Sequence, residues 1–202
     1  MLDTNTHNSH LSSSRRLPIY LVLDCSSSMA GEPIEGIRNG VVALIGDLKT
    51  DPQALETAWI SIIVFASDAW QSVPLTELVS FPSIFPIVDS ADESALGAAL
   101  VVLDRAIDRE VIRRTVDNPG DYCPLVFIMI DGMPSDDWEG AAQVLLRRHE
   151  IGGMLLCGAG PDVSTTELAA SVPGVVEVDL SNMEQDKLRS SFRWIDQNAC
   201  PV

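Results

Sequence analysis

Three short stretches hold side chains that could act together on one ion. In DCSSSM, residues 24–29, the side chains of Asp24, Ser26 and Ser28 alternate along a loop that follows the apolar run LPIYLVL, so their oxygens can point to one spot. Ser94 stands at the head of SALGAAL, and Asp131 ends a second apolar run in IMIDGMPSDDW. All five donors are hard oxygens, with no thiol or imidazole among them. That set selects Mg²⁺, Ca²⁺ or Mn²⁺ over zinc or copper, with Mg²⁺ expected. Because Mg²⁺ keeps several waters, an exchangeable position is expected, and an incoming carboxylate is a natural ligand for it.

Such a site needs elements that bring distant residues to one edge. Pro18–Leu23 reads as a fully buried strand, short and apolar. A helix follows from Pro33, with Ile34, Ile37, Val41, Leu44, Ile45 and Leu48 on one face. Proline suits the first turn, where its missing N–H would have no partner anyway. AWISIIVF, Ala58–Phe65, is a second strand, and Trp70–Leu78 follows so closely that a hairpin is expected. Leu96, Leu100, Leu103, Ile107 and Val111 keep helical register, and Pro124–Asp131 is another strand. Ser135, Asp136 and Asp137 offer caps for a helix through His149, GGMLLCGAG is a further strand, and Ser164 with Glu167 and Ser181 with Glu184 have capping-box spacing. Met183, Leu188, Phe192 and Ile195 mark a last helix.

Strands alternating with helices imply an α/β fold, a doubly wound and mainly parallel sheet with helices on both faces. Ligands then sit outside the C-terminal ends of the strands, where Asp24 and Asp131 both fall. The 202 residues fit one domain over residues 16–202, after a polar tail over residues 1–15 that reads as disordered.

Charge narrows the partners. Thirteen basic against 29 acidic residues leave a net charge of −16, which argues against nucleic acid and anionic membrane surfaces and fits cations or basic partners. No apolar run approaches the roughly 18 residues of a membrane helix, so no membrane insertion is expected. Cys25, Cys123, Cys157 and Cys200 show no CxxC spacing and read as thiols of a reducing compartment, the cytoplasm.

With these residues in view, DCSSSM resembles the DxSxS signature of the metal-ion-dependent adhesion site in von Willebrand factor A domains. SALGAAL and IMIDGMPSDDW resemble its second and third motifs. RRLPIYLVLDCSSSMAGEPIEGI, DPQALETAWISIIVF and VPLTEL further resemble the bacterial TerY branch of tellurium-resistance proteins. The resemblance implies a Rossmann-like sheet with one antiparallel edge strand and a divalent ion held by Asp24, Ser26, Ser28, Ser94 and Asp131, some of them through water. It implies metal-dependent protein–protein interaction and no enzymatic activity. It also implies a tellurite or stress-response role, with a protein kinase and a PP2C-like phosphatase as partner candidates. Two departures stand out: Ser94 replaces the usual Thr, losing a β-branch that stiffens the rotamer, and Ser27 stands where this branch often has Gly.

Plainer readings compete. Serines after a strand are commonly turn formers, Ser94 could cap its helix, and Asp136 with Asp137 fits a helix N-terminus better than a catalytic dyad. The four tryptophans read as core or partly buried packing residues. Nearby acids, among them Glu32, Glu35, Asp92, Glu93 and Glu139, read as surface charges that could also crowd the site. Serine-type catalysis lacks a base, because His149 closes a helix that should end at the opposite edge of the sheet from Ser26. No GxxxxGK or GxGxxG follows a strand. The alternatives to a metal-dependent adaptor are a metal-dependent hydrolase or phosphatase and a scaffold without metal.

Overall fold

The computed structural model describes residues 15–82, 92–158 and 165–178. The first strand, β1 (Leu17–Asp24), is buried along its whole length. It lies in the middle of a six-stranded sheet between β2 (Ala58–Phe65) and β4 (Leu125–Ile130), parallel to both. β5 (Gly153–Gly158) and β6 (Val175–Val178) extend the parallel part beyond β4, while β3 (Ala69–Glu77) pairs antiparallel with β2 at the other edge. The order β3-β2-β1-β4-β5-β6 is the doubly wound arrangement expected from the alternation of strands and helices.

Alternate residues of β1 face opposite sides, and each side meets its own helix layer. Ile19, Leu21 and Leu23 pack with Ile34, Ile37, Val41, Leu44 and Leu48 of α1 (Glu32–Thr50). Tyr20 and Val22 pack with Leu96, Leu100 and Leu103 of α3 (Leu96–Glu110) and with Trp138 and Leu145 of α4 (Trp138–Arg148). A strand buried on both faces has no polar side to alternate with, which is why LPIYLVL reads as a continuous apolar run. Two short helices, α2 (Pro52–Thr57) and α5 (Thr166–Ser171), complete the described α-helices. At only six residues each, they carry too little periodicity to read from sequence.

Several expectations are corrected in detail. Thr165, not Ser164, precedes α5, and its hydroxyl donates to Glu177 rather than capping the helix. Trp70 lies on the edge strand and is 48% exposed, unlike Trp138, which is in the core. Arg15, assigned to the disordered tail, donates to the carbonyls of Gly120 and Asp121. Cys25 and Cys157 are buried thiols, but Cys123 is disulfide-bonded, against the reading of thiols throughout. The last helix, the Ser181–Glu184 capping box, Trp194 and the rest of the polar tail lie outside the described residues. Among the described residues, no helix is long and apolar enough to cross a membrane.

Candidate metal centre

Parallel register sets the two carboxylates side by side. Leu23 of β1 is level with Met129 of β4, so Asp24 ends its strand at the same edge where Asp131 follows the other. After Asp24 the chain makes a 3-10 turn over Ser27–Met29, closed by the Met29 N–H on the Ser26 carbonyl at 3.0 Å. Met29 is fully buried, so its side chain anchors the turn from below and leaves the serines above it. Gly31, with φ +93, then redirects the chain into α1, a conformation that residues with a Cβ rarely adopt.

The second loop is held just as firmly. The Ala95 N–H donates to the carbonyl of Ala66, just past β2, at 2.8 Å. Ser94 and Ser135 exchange two bonds: the Ser135 N–H donates to the Ser94 carbonyl at 2.8 Å, and the Ser94 N–H to the Ser135 hydroxyl at 3.2 Å. The Asp136 carboxylate accepts from the N–H groups of Gly97 and Ala98, satisfying two of the unpaired donors that open α3. Asp137 caps α4 in turn through the Gly140 N–H. These two carboxylates therefore have structural partners, as the cap reading expects, although Asp136 serves the helix of another segment.

All five sequence-predicted residues come together in one polar cluster. Asp24 is fully buried. One of its oxygens accepts from the Ser26 N–H at 2.8 Å, the other from the Ser94 hydroxyl at 2.7 Å. The hydroxyls of Ser26 and Ser28 are 3.0 Å apart, and Ser28 donates to Asp131 at 3.1 Å. Ser94 spends its hydroxyl on Asp24 rather than on its own helix, whose N-cap is Ala95. Burial raises the Asp131 carboxyl above its ordinary range; the Ser28 bond opposes this and the charge of Asp24 adds to it.

Neither Asp24 nor Asp131 pairs with a Lys or Arg among the described residues. Two neighbouring carboxylates without a cationic side chain, surrounded by hydroxyl oxygens, form a donor set suited to a hard divalent ion. One contact escaped the sequence reading: the Ser27 hydroxyl donates to Asp92 at 2.5 Å and ties the first loop to the second. Its signal was Ser27 itself, a hydroxyl where the resembling branch often has Gly.

A second group, Asp104, Asp108 and His149, brings its ligand atoms within 4.8 Å of one another. The Arg148 guanidinium bonds both aspartates, and the His149 ring meets Asp104 at 2.8 Å. A fixed cation already balances these carboxylates, so this cluster is an ion-pair network joining α3 to the end of α4. His149 lies beside Cys123 and Pro124, just before β4, at the edge opposite Ser26. It is out of reach as a base for the serine loop.

Comparison with known proteins agrees with the fold. Among solved structures, the chain is similar to an aerotolerance-related membrane protein from Bacteroides fragilis bearing multiple mutations to serines (18% identity, 90% of this chain and 99% of that one, TM-score 0.56). It is similar to BatB, a conserved hypothetical protein from Bacteroides thetaiotaomicron (17% identity, 90% and 99%, TM-score 0.58). It also resembles the pilus adhesin SpaC from Lactobacillus rhamnosus GG (11% identity, 91% of this chain but 31% of that one, TM-score 0.65). At these identities the likeness speaks for the fold alone. No curated protein sequence matches the chain. The von Willebrand factor type A domain family matches residues 19–169, three quarters of the chain, and the protein belongs to that family.

Proposed function

We propose that this protein is a divalent-metal-dependent protein-interaction module whose ion is held by Asp24, Ser26, Ser28, Ser94 and Asp131. The observation that carries the reading is the uncompensated pair Asp24 and Asp131, linked through three serine hydroxyls at the C-terminal edge of the sheet. Mg²⁺ is the expected ion, with Ca²⁺ or Mn²⁺ as substitutes that the same oxygens accept. A bound cation supplies an electrophilic position that a partner's carboxylate can occupy. Around it, Asp24 and Ser94 hold the inner loop in place, and Ser28 with Asp131 lies toward solvent. The pilus adhesin among the similar structures supports an interaction role by analogy only.

The reading extends to a stress-response role akin to that of the TerY branch, with a protein kinase and a PP2C-like phosphatase as partner candidates; the cytoplasmic placement read from free thiols loses that support with Cys123 disulfide-bonded. That extension rests on sequence resemblance. No histidine stands near the serine loop among the described residues, and its carboxylates are read as metal ligands and loop ties, so we read the protein as a binding module. The test is a pull-down from host lysate with wild type in Mg²⁺, wild type in chelator, and Asp24→Ala in Mg²⁺. A partner retained only in the first sample is expected. Equal retention in all three would refute the metal-dependent reading.

A further inference from the structure

The mouth of the cluster has a charge pattern and an apolar feature that together define a ligand. On its outer side, Ser28 is exposed and Asp131 is half-buried. The exposed acids Glu32, Glu93 and Glu139 neighbour the three motifs in sequence and make no hydrogen bond or ion pair among the described residues. Among the described residues, Asp92 is bonded by the neutral Ser27 hydroxyl and by no cation. The first basic residue after the serine loop in sequence, Arg38, is already paired with Glu35. A doubly charged ion would offset Asp24 and Asp131 and leave this outer ring negative.

Two residues beyond Asp131, Met133 is 67% exposed. Both ends of its loop are fixed by bonds already described, Ser28 to Asp131 and Ser135 to Ser94. The backbone that carries the thioether is thus pinned by the framework of the cluster itself, while the side chain reaches solvent. Methionine is polarizable and adapts its shape to an apolar partner. A lone exposed methionine is ordinary on a protein surface. Its position on a pinned loop beside the cluster is what gives it use.

We infer that the partner segment carries one carboxylate flanked by basic residues and an apolar side chain, and that acidic stretches are rejected. This rests on the metal-site reading above. The metal takes the single carboxylate, Met133 meets the apolar neighbour, and the glutamates attract the flanking lysines or arginines. A run of acidic residues would bring one charge to the ion and the others to a ring of like sign. Each charge pair across roughly 8–10 Å of water shifts binding about twofold, and salt screens it over a similar distance. Several such pairs give roughly tenfold discrimination at low salt.

The test uses three synthetic peptides and the full chain, by calorimetry in Mg²⁺ and in chelator. The first has a central glutamate, a following leucine and flanking lysines. The second keeps the glutamate among serines and further glutamates, and the third is the first with glutamine in place of glutamate. We expect the first to bind about tenfold tighter than the second, only in Mg²⁺, and the third to bind weakly. Glu32→Gln, Glu93→Gln and Glu139→Gln combined should reduce that preference to about twofold, and Met133→Ala should weaken the first peptide severalfold. Equal or reversed preference between the first two peptides overturns the inference and leaves the carboxylate reading intact. Tight binding of the third shows mere attraction of cations to the acidic ring and also overturns it. If a protein whose melting temperature rises with Mg²⁺ binds none of the three, the carboxylate-ligand reading falls, and the inference with it.

Discussion

Asp131→Asn should move the melting temperature in opposite directions with and without Mg²⁺. In chelator, burial and then the neighbouring charge of Asp24 raise the pKa of the native Asp131 carboxyl. A carboxyl whose native pKa is raised binds its proton more tightly folded than unfolded. Its penalty is therefore absent below the unfolded pKa, grows as pH rises through the interval to the folded pKa, and is complete above it. Above that folded pKa the wild type carries the whole penalty. Asparagine removes it and keeps an oxygen for the Ser28 hydroxyl. A partly exposed pair of this kind is worth roughly 0.5–1 kcal/mol. For a chain of this size that is a rise of about 1–4 °C in chelator, fading toward pH 4. With Mg²⁺ at a hundredfold excess over its Kd, wild type gains about 2.7 kcal/mol by mass action. That is a shift of roughly 5–11 °C. The variant should lose most of it, so the two melting curves exchange order on adding metal. Differential scanning fluorimetry in chelator and in Mg²⁺, at pH 7 and near pH 4, reads all four quantities. A variant that melts lower than wild type in chelator and gains as much from Mg²⁺ would refute the reasoning at both steps.

Other substitutions test the supports of the cluster. Gly97→Ala should destabilise and weaken Mg²⁺ binding together, because a Cβ there would lie 2.8 Å from the Asp136 carboxylate and 3.0 Å from the Asp137 carbonyl. Gly46→Ala, in α1 with nothing within 4 Å, should stabilise by about 0.5–1 kcal/mol in the same melting assay. Arg16→Met should cost about 3 kcal/mol or more in urea unfolding, since it strands an Asp121 side chain only 3% exposed; Arg16→Met with Asp121→Asn should cost distinctly less. By contrast, Arg38→Ala breaks an exposed pair and should cost under about 1 kcal/mol. Burial pushes the Cys157 thiol up to about 12, so it should resist alkylation in the native protein at pH 8 and react once urea unfolds the chain; prompt native labelling would contradict its burial.

The sequence by itself determined five of the six described strands, the long helices and the five oxygens of the cluster; the four-residue β6 was too short to read. A strand buried on both faces must be continuously apolar, so β1 and β4 stand out, and a carboxylate ending each run marks the edge where they stop. Helical spacing from Ile34 to Leu48 and from Leu96 to Ile107 likewise follows from burial of one face. What tertiary structure alone decided was which groups share bonds. Asp136 looks like a local cap, yet it closes the helix that begins at Leu96, because packing of α3 against α4 brings the two N-termini together. Ser94 looks like a cap for its own helix, yet its hydroxyl crosses to Asp24, 70 positions earlier. Ser27 meets Asp92 only because β1 and the turn before α3 end at one edge. The acids around Asp104 could pass for a metal cluster until Arg148 arrives from the end of α4 to neutralise them. Local propensity and periodicity act over a few residues, whereas charge compensation depends on which segments the fold sets within about 4 Å of each other.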